Sequence, residues 1–153
     1  MNKEFIPYEQ ALELKQLGFN EPCFATYSNV QEAGIEKGSL SYYEGLFLPI
    51  SSKMFCLAPT YSQAFRWFRE KHSLVHEISW SKYKGGLNFD YDVFSLVLPT
   101  DDELGDEDDI ASDKSMETYD SLVDKDFRHH ESNTYEEAEL ACLIKLIEIV
   151  KNK

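Results

Sequence analysis

The densest chemistry in this chain is carboxylate. Seven of the nine residues from 101 to 109 are acidic: Asp101, Asp102, Glu103, Asp106, Glu107, Asp108 and Asp109. The wider segment 99–131 holds thirteen acids against three bases, a net charge of −10, while the other 120 residues share the remaining −3 of a total of −13. Such a run suits two tasks: presenting negative charge to a basic protein surface, as nucleic-acid phosphate does, or holding hard cations. EF-hand spacing is missing, because placing Gly105 at the sixth loop position puts Thr100 at the first, where an acid is required. The plainer use is a solvated loop, since self-repulsion opposes compaction.

A second group is Arg66-Trp67-Phe68-Arg69, two guanidinium groups and two aromatics on one predicted helix. That chemistry fits stacking and phosphate contact. Phe68 belongs to the apolar stripe of that helix, which leaves Arg66 and Trp67 as a candidate partner-binding patch. The histidines His72, His76, His129 and His130, with Glu131, supply metal-ligand chemistry on paper. His72 ends the predicted helix and His76 lies in the next strand, so their four-residue spacing does not bring them to one helical face. Asp90, Tyr91, Asp92 and Trp80 fall together on a predicted hairpin as raw material for a convergent site. The chain has no serine elbow, no glycine-rich phosphate loop and no motif around a cysteine, so no catalytic residue, metal or cofactor is expected.

At 153 residues, 42% hydrophobic and 14% aromatic, the chain has the material for one ordinary core. It is read as a single domain, 1–153, carrying an acidic insertion at 99–131. Three widely spaced cysteines, Cys23, Cys56 and Cys142, are an odd number among apolar neighbours and read as reduced core thiols. No apolar run approaches a membrane span and the first residues lead into no signal core, so a cytoplasmic protein without membrane association is expected. The acidic balance argues against general nucleic-acid binding.

The pattern predicts a helix over 7–17, stopped at Gly18. Strands are expected at 22–27 and 42–48 around a turn with Gly34 and Gly38. A second helix follows Thr60, with apolar residues Tyr61, Ala64, Phe65, Phe68 and His72. Alternation over 75–81 and 87–93 about Lys84-Gly85-Gly86 predicts a second hairpin. A short helix over 116–127 is a further expectation. Thr134 and Glu137 fit a capping box for a largely apolar C-terminal helix. The fold class is therefore α+β: a mainly antiparallel sheet of about four strands from two hairpins, packed by three helices, with the acidic insertion before the last.

Three blocks, residues 5–23, 58–71 with Gln63-Ala64-Phe65-Arg66-Trp67-Phe68-Arg69-Glu70, and 134–150, resemble small uncharacterised proteins of Bacteroidetes bacteriophages and prophages. The resemblance covers roughly 50 residues, omits 99–131 and brings no catalytic residue. It implies a phage or bacterial origin and the host cytoplasm as the setting. The resulting expectation is a non-enzymatic binding protein, a phage accessory factor that engages a host or phage protein through the acids at 101–109. A small virion component is the alternative, and an enzyme acting on a phosphorylated substrate through Arg66 and Arg69 is the least favoured.

Overall fold

The helices and strands follow from local signals that can be read residue by residue. A computed structural model of the chain describes residues 3–31, 34–47, 53–83, 86–95 and 132–153. The acidic insertion, including the helix expected at 116–127, lies outside the described residues, as do the end of the strand expected at 42–48 and the Lys84-Gly85 part of the turn. The described elements are helices α1 (Tyr8–Gln16), α2 (Tyr61–His72) and α3 (Tyr135–Lys151) and strands β1 (Cys23–Ser28), β2 (Leu40–Phe47), β3 (Phe55–Leu57), β4 (Leu74–Tyr83) and β5 (Gly86–Ser95). The class is α+β with antiparallel pairing in every strand pair. The two expected hairpins are present. In place of one sheet of about four strands there are two, a three-stranded sheet, β2-β1-β3, in which the short strand β3 adds itself to β1, and a two-stranded one, β4-β5.

Two compact units divide the chain, one of residues 1–67 and 143–153 and one of residues 68–142. In the first, Pro7 is the N-cap of α1 with extended backbone rather than its first helical residue, so the helix begins at Tyr8, one position later than expected. The helix ends as Gly18 predicts. Gly18 takes φ +94, its N–H donates to the Lys15 carbonyl, and the Phe19 N–H donates to that of Leu14 at 2.9 Å. This pair of bonds is a Schellman closure, which a residue with a β-carbon enters only under strain. Gly38, at φ +82, is held to glycine twice over, since a Cβ there would stand 3.2 Å from the Tyr8 ring.

Strand β1 is the middle of the three-stranded sheet and is buried at Cys23, Ala25, Thr26, Tyr27 and Ser28. The Tyr27 hydroxyl, though buried, donates to the Ile6 carbonyl at 2.6 Å, and its ring meets Tyr8 edge to face. The N-terminal segment is tied down by the Ile6 N–H donating to the Pro59 carbonyl and by a bridge between Phe5 and Thr60. Lys15 donates to the Phe55 carbonyl at 3.0 Å, and Lys151 pairs with Glu13 at 2.6 Å.

Helix α2 opens with a capping box. The Gln63 N–H donates to Thr60 Oγ1, while Gln63 Oε1 accepts from the Thr60 N–H at 3.0 Å. At α3 the expected Thr134 cap is made by the Glu137 N–H, but the Glu137 carboxylate accepts from Asn133 rather than from Thr134 itself. Ala138, Cys142, Leu143, Leu146 and Ile147 form the buried stripe of α3, and Lys145 pairs with Glu148 on its polar side. In the second unit, β4 and β5 pair in unbroken register from Leu74↔Ser95 to Tyr83↔Gly86, and Ser132 bridges back to Phe89.

Tyr27→Phe removes the donor to a buried carbonyl and is expected to lower stability by about 1–2 kcal/mol in urea unfolding. An unchanged midpoint would show that the Ile6 carbonyl finds another donor.

Candidate functional site

The structure separates two of the groups expected from the sequence, Arg66 from Trp67 and Tyr91 from Asp90 and Asp92. Asp101, Asp102, Glu103, Asp106, Glu107, Asp108 and Asp109 lie outside the described residues, as do His129, His130 and Glu131. Trp67, expected beside Arg66 on an outward patch, is 3% exposed, and its ring meets Phe19 edge on at 5.7 Å. The reason is helical: position 67 is three residues beyond Ala64, so the buried stripe of Ala64, Phe65 and Phe68 widens to take it in. Of that patch only Arg66 faces outward, and it pairs with Glu21 at 2.8 Å. His72 closes α2 and His76 lies in β4, as the spacing predicts.

The three cysteines are free and buried. Burial pushes the Cys23 and Cys142 thiols up to about 12 and that of Cys56 up to about 11. They are therefore protonated at neutral pH and walled off from solvent, the opposite of a poised nucleophile. Burial, helped by the nearby Arg69 charge, lowers the pKa of His76 and holds its ring neutral. Among the described residues no three His, Cys, Asp or Glu side chains come together as a metal site, and no helix is long and apolar enough to cross a membrane.

What the structure does assemble is a hairpin with two chemically opposite faces. Side chains alternate along a strand, and directly paired residues of an antiparallel ladder share a face. One face therefore carries Leu74, His76, Ile78, Trp80 and Lys82 with Ser95, Val93, Tyr91, Phe89 and Leu87. Its inner end is covered, with Leu74 and Tyr91 buried, while its outer end is open at Trp80, which is 67% exposed, and Leu87. The other face carries the apolar pair Val75 and Phe94 at its inner end, then Glu77 opposite Asp92, Ser79 opposite Asp90 and Ser81 opposite Asn88. No lysine or arginine occupies a strand position on that face. Glu77 and Ser79 are exposed, Asp90 and Asp92 half-buried. Asp90 Oδ1 and Ser81 Oγ are shut off from solvent with no hydrogen-bond partner among the described residues. Tyr91, grouped by sequence with Asp90 and Asp92, points to the opposite side, so that grouping does not form a site.

The acids of this face belong to a larger segregation. Residues 68–142 contain twenty acids and seven bases, so one compact unit carries the whole net charge of −13, while the other balances eight acids with eight bases. The acids concentrate in sequence at 99–131, and Glu77, Asp90 and Asp92 of the strand face add to the same unit's total. Comparison with protein-family models, curated proteins and solved structures finds no match to the chain.

Two outcomes are expected from this chemistry. Glu77 and Asp92 stand directly opposite with like charge, so Glu77→Lys is expected to stabilise the fold by about 0.5–1 kcal/mol, read as a raised urea midpoint; a lowered midpoint would show that Glu77 already has a stabilising partner. A disulfide reagent at pH 8 is expected to modify none of the three thiols in the native protein within minutes, and all three in denaturant. Rapid native modification would contradict their burial.

Proposed function

We propose that this chain is a non-enzymatic binding protein that engages a basic protein partner through the acidic surface of residues 68–142, in the setting of a phage protein acting on its bacterial host. The charge segregation carries this reading. One unit balances its charges and the other concentrates twenty acids against seven bases, including the seven from Asp101 to Asp109. A field of one sign steers an oppositely charged partner and raises the association rate, at the cost of self-repulsion within the unit. On strands β4 and β5 the exposed Glu77, beside the half-buried Asp90 and Asp92, carries the same sign. Three free cysteines suit a reducing cytoplasm, and the three blocks that resemble Bacteroidetes phage sequences supply the host.

The test is affinity capture from a Bacteroidetes lysate at low and at physiological salt, with wild type and with a variant in which Asp101, Asp102, Glu103, Asp106, Glu107, Asp108 and Asp109 become Asn or Gln. The wild type is expected to retain a stoichiometric basic protein at low salt, less of it at physiological salt where the Debye length falls to about 8 Å, and the variant at least ~10-fold less. Equal capture by both proteins, or an empty column at low salt, would remove the proposal.

A further inference from the structure

We draw no further inference here: the strongest candidate, the apolar patch of Trp80, Leu87, Phe89 and Tyr135 at the open end of the β4-β5 hairpin, carries nothing, because Lys82 stands on the same strand face directly opposite Leu87 and nothing in the structure shows what covers the patch.

Discussion

Like-charge repulsion among Glu77, Asp90 and Asp92 is the constraint around which the β4-β5 hairpin is arranged. Two unit charges at contact distance repel by about 1 kcal/mol in water and several times more at the lower effective dielectric of a protein surface, and the unit of residues 68–142 holds twenty acids with seven bases. The hairpin manages the repulsion by segregation. Its acids Glu77, Asp90 and Asp92 share one face, and the apolar ladder of Leu74, Ile78, Val93 and Tyr91 holds the other. Burial of that second face offsets what the first costs. The other unit, with balanced charge, has the three-stranded sheet centred on β1 and is free of this conflict.

A surface that opposes its own folding is informative about use. Glu77 facing Asp92 breaks the ordinary preference for opposite charges across a ladder, and Trp80 in water breaks the preference for burying aromatics. Under the proposed binding function, local rules broken without an evident structural gain are the places to look for contact residues. Both breaches occur on one hairpin, β4-β5. All three thiols are buried and held protonated, which points away from a thiolate nucleophile among them.

Much of the fold was legible because local signals and tertiary structure agree. Gly18 closes α1, Thr60 and Thr134 begin the two later helices, and the alternation at 75–81 and 87–93 becomes β4 and β5. Strand β3 was not legible, since three residues are too few to show a period and it forms only by pairing with β1. Trp67 is expected outward because the stripe runs through Tyr61, Ala64, Phe65, Phe68 and His72 without it, whereas Ala64, Trp67 and Phe68 follow the three-and-four spacing of a single broader face. The site depended on register. Alternation defines two sides for each strand, but reading the turn as Lys84-Gly85-Gly86 leaves the pairing open by one residue, and a one-residue slip exchanges the faces. The observed pairing of Tyr83 with Gly86 settles it, placing Trp80 beside Phe89 and Glu77 beside Asp92.

The most direct test of the account is to map, on uniformly nitrogen-15-labelled protein, the backbone amides that respond to an unlabelled lysine-rich peptide at low and at physiological salt. The account predicts shifts concentrated within residues 68–142, including β4, β5 and the start of α3, that fade as salt rises. Shifts centred instead on α1 and the β2-β1-β3 sheet, or shifts indifferent to salt, would contradict it.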